Sequence, residues 1–268
     1  MPSRLTALLV ALVAVLAPAA PAQGEPSDVL PDLDQMVPTD LMVKSQKVGP
    51  HRVWRLGFAS AAANVGAGPL TLHGYRRSRK LTTMRVDQLI DQTTGPVRLL
   101  RDVGRMSYVV HPDHKHWHLL GFEKYEIRAL GEPLGAPLRR DRKTGFCLGD
   151  RFAMPDAEKL VGFNPTPLQG DTCGLGRPEL TSLFAGISTG WVDRYEAQLE
   201  GQYIDITDAP SRKYVLVHRL NTDGKIAESN YANNASSVLF SLNWLNGRDE
   251  APRLTVLRRC PGTASCPG

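Results

Sequence analysis

The chain has 268 residues, of which 42% are hydrophobic and 22% charged, and its formal net charge is +5. This is the composition of an ordinary globular protein with enough apolar residues for a sizeable core. Much of the positive charge lies in two short runs, 76–80 and 139–143, that contain no aromatic residue, so the sequence argues against nucleic-acid binding. Weak association with an anionic cell wall or matrix is a use that this charge allows.

The first 22 residues have the features of a secretory signal peptide. Arg4 precedes the apolar stretch 5–16, and Ala20-Pro21-Ala22 supplies small residues for cleavage. A membrane span needs about 20 apolar residues, and this stretch is shorter. No later segment is long and apolar enough to cross a membrane. We therefore expect a secreted, extracellular protein with no membrane span.

Residues 23–39 are rich in Pro, Asp and Gly and are predicted to be a flexible lead-in, followed by one domain over 40–268. In that domain, short apolar runs are separated by Gly, Pro, Asn or Asp about every ten residues. This pattern predicts a mostly β domain of the β-sandwich type, with long loops and few short helices. The predicted strands are 52–59, 70–73, 108–111, 116–129, 203–207, 214–220 and 236–244, and the one predicted helix is 84–91.

The run from His111 to His118 contains four of the seven histidines. His114, His116 and His118 alternate, and alternate residues of a strand share one face. The outer two would lie about 13 Å apart on a fully extended strand, so the strand must bend for all three to reach one ion. Neutral imidazole suits Cu(II) and Zn(II), and the run therefore predicts a metal site rather than a surface histidine cluster.

Four cysteines in an exported chain predict disulfide bonds. They allow three pairings, of which proximity favours Cys260 with Cys266 and leaves Cys147 with Cys173.

A turn rich in side-chain oxygens lies near the end of the domain. Its oxygen-bearing residues are Glu228, Asn230, Asn233 and Asn234. Such oxygens are ligands of Ca²⁺, and they are equally common in turns because Asn bonds neighbouring backbone. Both interpretations stay open from these residues alone.

Five motifs together resemble the catalytic domain of lysyl oxidases, in the order of that family and over roughly residues 40–242. They are the histidines of 114–118, Lys-x-x-Phe-Cys-Leu at 143–148, Gly-Trp-Val-Asp-Arg-Tyr at 190–195, Ile-Asp-Ile-Thr-Asp at 204–208 and Glu-Ser-Asn-Tyr-Ala-Asn-Asn at 228–234.

The resemblance implies a copper ion bound by His114, His116 and His118. It also implies an organic cofactor, lysine tyrosylquinone, formed from Lys143 and Tyr195. Copper(II) and dioxygen can oxidise a nearby phenolate to a quinone, and an unprotonated amine then adds to the ring; burial near a cation lowers a lysine pKa. The implied activity converts a primary amine or a lysine side chain to an aldehyde, with release of ammonia and hydrogen peroxide.

The resemblance further implies a structural calcium ion. Its ligands would be Asp40, the backbone of Leu41 and the oxygens of Glu228, Asn230, Asn233 and Asn234. Asn230 replaces a carboxylate of the family, which removes one charge from the site.

The general base stays unassigned, because a histidine seven residues past the last ligand in animal members is replaced here. The best-aligned position is Lys124, and Asp193 lies close to Tyr195 in sequence. Two other functions remain open: a non-catalytic β-sandwich module for adhesion or copper handling, and a zinc hydrolase with a three-histidine site.

Overall fold

The computed structural model describes residues 27–111, 115–132, 138–141, 143, 145–170 and 172–268. The predicted signal peptide, 1–22, and His114 lie outside these residues. The strands are β1 Asp28–Val29, β2 Leu33–Gln35, β3 Thr39–Val48, β4 His51–Asn64, β5 Leu70–Tyr75, β6 Thr83–Gln92, β7 Arg98–Tyr108, β8 Trp117–Leu120, β9 Glu123–Ala129, β10 Arg139–Arg140, β11 Gly145–Phe146, β12 Phe152–Ala153, β13 Ser182–Ile187, β14 Trp191–Tyr195, β15 Tyr203–Asp205, β16 Arg212–Leu220, β17 Ala235–Asn243 and β18 Arg253–Cys260. A single 3-10 turn, Ala157–Lys159, is the helix found in the described part of the chain.

The strands form three antiparallel sheets, which confirms the predicted mostly β class. The first sheet has the order β11-β8-β7-β6-β5-β13, with β1 added beside β6. The second has the order β10-β9-β16-β17-β18, and the third has the order β12-β14-β4-β15, with β2 and β3 also paired to β4. Residues from all three sheets share one main hydrophobic core, in which Phe58, Leu72 and Phe240 are almost fully buried.

Strand β4 shows how the sequence places a strand at the centre of this core. Of its first five residues only Trp54 is buried, whereas residues 56–64 are all buried. Small residues at 59–63 let other elements cover both faces of the strand. Four strands pair with β4, including β14, which carries Tyr195.

The predicted helix at 84–91 is wrong, because these residues belong to β6. The even-numbered side chains Met84, Val86, Gln88 and Ile90 are all buried, which is the period of a strand. Gln88 disguises this period in the sequence because it is polar. Its amide donates to the carbonyl of Ala227 at 2.9 Å and accepts from that residue's N–H at 2.8 Å, so it can be buried at little cost.

Other boundaries also differ from those predicted. The segment 23–39 contains β1 and β2, and Leu33 has no exposed surface, so regular structure begins before residue 40. The predicted strand 116–129 is divided into β8 and β9 by a turn at Gly121, whose φ of +73° favours glycine. The predicted strand 108–111 is the end of β7, which stops at Tyr108.

No helix in the described ranges is long and apolar enough to cross a membrane.

Candidate functional site

His116 and His118 lie on the same face at the start of β8, and Trp117 between them points into the core with 1% of its surface exposed. The Nε2 atoms of the two imidazoles are 2.7 Å apart. Two ligands at right angles on one ion, with metal–nitrogen bonds of about 2.0 Å, would be about 2.8 Å apart. The pair therefore fits the square-planar geometry of one Cu(II) ion in both spacing and chemistry, whereas two ligands of a tetrahedral Zn(II) ion would be about 3.3 Å apart. No three His, Cys, Asp or Glu side chains of the described residues form such a group, and the third predicted ligand, His114, lies outside them.

Strand β11 pairs with β8 and brings the segment that follows Lys143 against the histidines. Gly145 is opposite Leu120, and Phe146 is opposite Leu119. A Cβ atom at position 145 would lie 2.6 Å from Cβ of His118, so this approach requires glycine.

A disulfide bond between Cys147 and Cys173 fixes the same segment from the other end. The carbonyl of Cys173 accepts a hydrogen bond of 2.9 Å from the N–H of Trp117, so the bridge joins the Lys143 segment to the histidine strand. The second bridge joins Cys260 and Cys266. Both pairings are those favoured by proximity in the sequence, and they are confirmed.

Removing the Cys147–Cys173 bridge should lower stability more than removing the tail bridge. The two bridges span sequence separations of 26 and 6 residues, for which chain entropy gives about 3.5 and about 2.2 kcal/mol. Denaturant unfolding of the paired serine variants C147S/C173S and C260S/C266S measures both losses, with the second double variant as the control. An equal or larger loss from the tail bridge would contradict the role of the Cys147 bridge in holding the site.

Lys143 and Tyr195, 52 positions apart in sequence, lie together in the folded chain. The Nζ atom of Lys143 lies 4.2 Å from the centroid of the Tyr195 ring and 5.1 Å from that of Phe146. The Tyr195 hydroxyl donates a hydrogen bond of 2.7 Å to the carbonyl of Cys147, and Phe146 packs edge-on against its ring at 5.4 Å. The phenol is thus fixed, with the lysine amine over its face.

The amine of Lys143 is enclosed by protein, although the residue as a whole is only half-buried. This burial lowers the pKa of Lys143 to about 8, against the opposing effect of carboxylates, of which Glu123 is the strongest. Burial also raises the pKa of the Tyr195 phenol well above its usual value, and the charges of Asp193 and Glu123 add to this. An unprotonated amine is therefore accessible near neutral pH.

Asp193 lies two residues before Tyr195 on β14 and has 1% of its surface exposed. Burial raises the pKa of its carboxyl to about 7, while Arg151 opposes this rise. The Arg151 Nε donates to Asp193 Oδ1 at 3.3 Å. A carboxyl that exchanges its proton near neutral pH is suited to general acid–base chemistry.

Glu123 is a second buried carboxylate, which the sequence pattern did not single out. It is the first residue of β9, and alternation along the strand buries Glu123 and Tyr125 while Lys124 is exposed. Burial raises the pKa of Glu123 to about 7. The nearby carboxyl of Asp141 has its pKa raised to about 6, again chiefly by burial. In the sequence, Glu123 could have been found only by counting alternate residues onward from His118 and allowing for the turn at Gly121.

Two open pockets flank the lysine–tyrosine pair. One has a volume of about 550 Å³ and is lined by His116, His118, Arg151 and Tyr195, together with residues 198–200. The other has a volume of about 560 Å³, and its lining includes Glu123, Lys124, Asp141 and Lys143. The histidines and the phenol face the first pocket, and the lysine faces the second.

The structure divides the predicted calcium ligands between two places. Asp40 has a φ of +52° at the irregularity in β3 between Thr39 and Met42, and its carboxylate pairs with Arg194 at 2.8 Å. The turn at 228–234 is here called the Glu228 turn. The Asp–Leu pair that lies against it is Asp32–Leu33 rather than Asp40–Leu41. The predicted pair, Asp40 and Leu41, lies in β3, and the calcium ligands themselves stay a prediction.

Several contacts join Asp32 and Leu33 to the Glu228 turn. The N–H of Leu33 donates to Glu228 Oε2 at 3.0 Å, and Asn233 Nδ2 donates to Asp32 Oδ1 at 2.7 Å. The other Glu228 oxygen accepts from Asn234 Nδ2 at 2.7 Å. The Oδ1 atoms of Asn233 and Asn234 are buried and have no hydrogen-bond partner among the described residues. Carboxylates beside unsatisfied amide oxygens are a donor set that suits Ca²⁺. Asn230 is exposed, and its Oδ1 accepts from the N–H of Ala232 at 3.0 Å.

Comparison with known proteins places this arrangement in a family. The model of the lysyl oxidase family matches residues 71–244. Lysyl oxidase homolog 2 of Gallus gallus is 30% identical over 178 residues, which are 66% of this chain and 19% of that protein. Lysyl oxidase homolog 3 of Homo sapiens is 31% identical over 133 residues, 49% of this chain and 15% of that protein. The match thus spans less than a fifth of the length of these relatives. The chain belongs to the lysyl oxidase family.

Proposed function

We propose that this protein is a secreted, copper-dependent amine oxidase whose cofactor, lysine tyrosylquinone, forms from Lys143 and Tyr195. The reaction consumes a primary amine, dioxygen and water, and it releases an aldehyde, ammonia and hydrogen peroxide. The observation that carries the proposal is the 4.2 Å separation between Lys143 Nζ and the Tyr195 ring, beside two histidines with the spacing of metal ligands.

Copper would be held by His114, His116 and His118. Bound there, it would supply the dioxygen-dependent oxidation of the Tyr195 ring to the quinone that receives the substrate amine. The support for this assignment is the shared pocket of His116, His118 and Tyr195 and the preference of imidazole for Cu(II).

The residues of the chain itself orient and protonate the reacting groups. The Cys147 carbonyl fixes the Tyr195 hydroxyl, and the Phe146 ring limits the movement of the phenol. The enclosed amine of Lys143 loses its proton far more readily than an exposed lysine, which suits it to bond formation with an oxidised ring. These contacts preorganise the two groups before any oxidation takes place.

Asp193 is our candidate for the general base that takes the proton from the carbon next to the substrate amine. It is buried beside Tyr195, and Arg151 on the wall of the histidine pocket holds one of its oxygens. Lys124 is a poor candidate, because it is exposed on the opposite face of β9 from the buried Glu123.

The mouth of the histidine pocket suggests a broad choice of amines. Phe152 and Leu199 supply apolar surface, while Glu196 and Glu200 supply carboxylates. Arg194 forms an ion pair with Glu196, and Nδ1 of His111 lies 2.8 Å from Oε2 of Glu200. Because the charges at the pocket mouth are balanced, the mouth does not select for the rest of the substrate. The pocket would then accept either peptidyl lysine or a small primary amine, and the amine itself would be the recognised group.

Copper reconstitution under air tests this function. Copper-free protein is incubated with Cu(II), then treated with phenylhydrazine and digested for peptide mass spectrometry. We expect a carbonyl adduct and a cross-linked pair of peptides that contain Lys143 and Tyr195, with peroxide formed from primary amines. Bound copper without a cross-link would favour a non-catalytic copper-binding module and would overturn the proposal.

We also propose that Asp32, the backbone of Leu33, Glu228, Asn233 and Asn234 bind a structural Ca²⁺. The contacts of Asp32 and Leu33 with the Glu228 turn support this set, as do the unsatisfied oxygens of Asn233 and Asn234. Burial raises the pKa of Glu228, and the charge of Asp32 adds to this, so a cation would relieve an unfavourable pair of carboxylates.

Calcium should raise the melting temperature of the wild-type protein and of D40N, and it should leave that of D32N nearly unchanged. At a calcium concentration 100 times the Kd, binding stabilises the folded state by about 2.7 kcal/mol. Differential scanning calorimetry with and without calcium measures the difference, and D40N is the matched control because Asp40 pairs with Arg194. A response lost in D40N and kept in D32N would restore the original ligand set.

A further inference from the structure

Glu123 is a buried carboxylate that lines the same pocket as Lys143 and has no task in the proposed function. One oxygen, Oε2, accepts from the Ser60 hydroxyl at 2.9 Å and from the Tyr125 hydroxyl. The other oxygen, Oε1, is buried and has no hydrogen-bond partner among the described residues. A buried carboxylate that is half satisfied is costly unless a cation or a proton compensates it.

Among the described residues, the groups around Glu123 leave Lys143 as its compensating cation. His218 donates to or accepts from Ser60 at 3.0 Å, but burial lowers its pKa well below the usual value, so it is neutral. Lys124 is exposed. Of the other cations that line the pocket, Arg140 is exposed and Arg219 pairs with Glu126 at 2.7 Å. The other titratable neighbours, Tyr125, Tyr195, Asp141 and Asp193, are phenols and carboxyls, which supply no positive charge. Lys143 and Glu123 line the same pocket, and the negative charge of Glu123 favours the Lys143 ammonium more than any other carboxylate does.

Cross-linking would destroy this charge balance. The ammonium of Lys143 must lose a proton before its nitrogen can bond to a ring carbon, and the resulting ring-bound nitrogen carries no positive charge. Glu123 would then be a buried carboxylate with no cation. Protonation restores its neutrality, because burial penalises the charged form of a carboxyl.

We propose that Glu123 holds Lys143 as an ammonium ion before cross-linking and takes its proton when the amine is consumed, so that the mature site contains a protonated Glu123. In this step one N–H bond of Lys143 breaks and one O–H bond of Glu123 forms, with no transfer of electrons. The inference rests on the proposed function for the cross-link itself. It makes Glu123 a positioning residue that acts through Lys143.

The first test uses copper-free protein, in which no cross-link can form. Trace acetylation over a pH series, read by peptide mass spectrometry, gives the pKa of the Lys143 amine. Glu123→Gln should lower this pKa, because the ammonium loses its stabilising carboxylate, whereas Glu123→Asp should preserve it. Glu158→Gln removes an exposed carboxylate that lies outside both pockets of the site, so it is the matched control and should leave the Lys143 pKa unchanged. An unchanged Lys143 pKa in Glu123→Gln would overturn the proposal, whatever the activity of the protein.

The second test follows cross-link formation after addition of copper, by the mass of the joined peptides. In the wild type the rate should fall as the pH decreases below about 8, where the amine becomes protonated. In Glu123→Gln the midpoint of this pH dependence should lie at lower pH. Cross-linking on the acid side should then be about tenfold faster for each pH unit between the two midpoints. A lower yield at every pH with an unmoved midpoint would mean that Glu123 is only structural, and would contradict the proposal.

The third test examines the mature protein by infrared spectroscopy. The wild type should show the carbonyl stretch of a protonated carboxylic acid that moves on ¹³C-glutamate labelling and is missing in Glu123→Gln. Its absence from cross-linked wild type would overturn the second half of the proposal. If the wild type forms no cross-link at all, the proposed function fails, and the acetylation test still decides whether Glu123 controls Lys143.

Discussion

Replacing Tyr195 with Phe should leave copper uptake intact and reduce peroxide production from primary amines to background. Without the hydroxyl, the ring cannot be oxidised to a quinone, and Lys143 has no electrophile to attack. The lost hydrogen bond to the Cys147 carbonyl should cost about 1 kcal/mol of stability, too little to unfold the protein. Peroxide assays, bound copper and the mass of the Lys143 peptide measure the three expectations.

Tyr214→Phe is the matched control for this experiment. Tyr214 is also buried, and its hydroxyl donates to a backbone carbonyl, that of Pro210, at 2.6 Å. It lies outside both pockets of the site, so its variant should lose a similar amount of stability and keep full turnover. Peroxide production that survives in Tyr195→Phe would show that another residue carries the organic cofactor.

Replacing His116 with Ala should abolish both copper uptake and the visible absorbance of the cofactor. Mutation of a residue that only hydrogen-bonds to a metal ligand typically lowers metal affinity about 10–100-fold. Loss of a ligand itself should therefore lower copper affinity by more than about 100-fold. Because the cross-link depends on copper, the Lys143 and Tyr195 peptides should remain separate. Metal analysis after dialysis and peptide mass spectrometry report these outcomes.

His73→Ala supplies the control for nonspecific loss of an imidazole. His73 lies on β5, where it bonds Ser182 at 2.8 Å and stacks on Phe184. Its removal should leave copper uptake and cross-linking unchanged. Retained absorbance in His116→Ala would remove this residue from the metal site and would weaken the copper assignment as a whole.

Features that depend on local spacing could be predicted from the sequence. Turn residues about every ten positions gave the mostly β class, and proximity gave both disulfides. The proximity of Lys143 to Tyr195 was a different kind of prediction, because only the motif resemblance pointed to it. In the structure, β11 and the Cys147 bridge bring the two side chains together.

Features that depend on tertiary partners were missed. Gln88 concealed the strand period of β6 because its amide bonds to a residue 139 positions away. The contacts of the two Asp–Leu pairs are also tertiary, because Asp40 pairs with Arg194 and the N–H of Leu33 donates to Glu228. Glu123 was overlooked because the turn at Gly121 separates β8 from β9. The face on which the Glu123 side chain lies could therefore not be counted along one continuous strand.

We expect the contact of β2 with the Glu228 turn to limit how far exoproteases can shorten this chain. Pro31 accepts a backbone hydrogen bond of 2.8 Å from Ser229, and Gln35 donates one of 3.1 Å to Asn233. Digestion that stops before Pro31 would spare these bonds. Digestion past Gln35 would remove Leu33 from the core and strip Glu228 of a donor, leaving a molecule open to further degradation. We therefore expect trimming to stop before Pro31, and the length of the surviving N-terminus would report whether this end of the fold is intact.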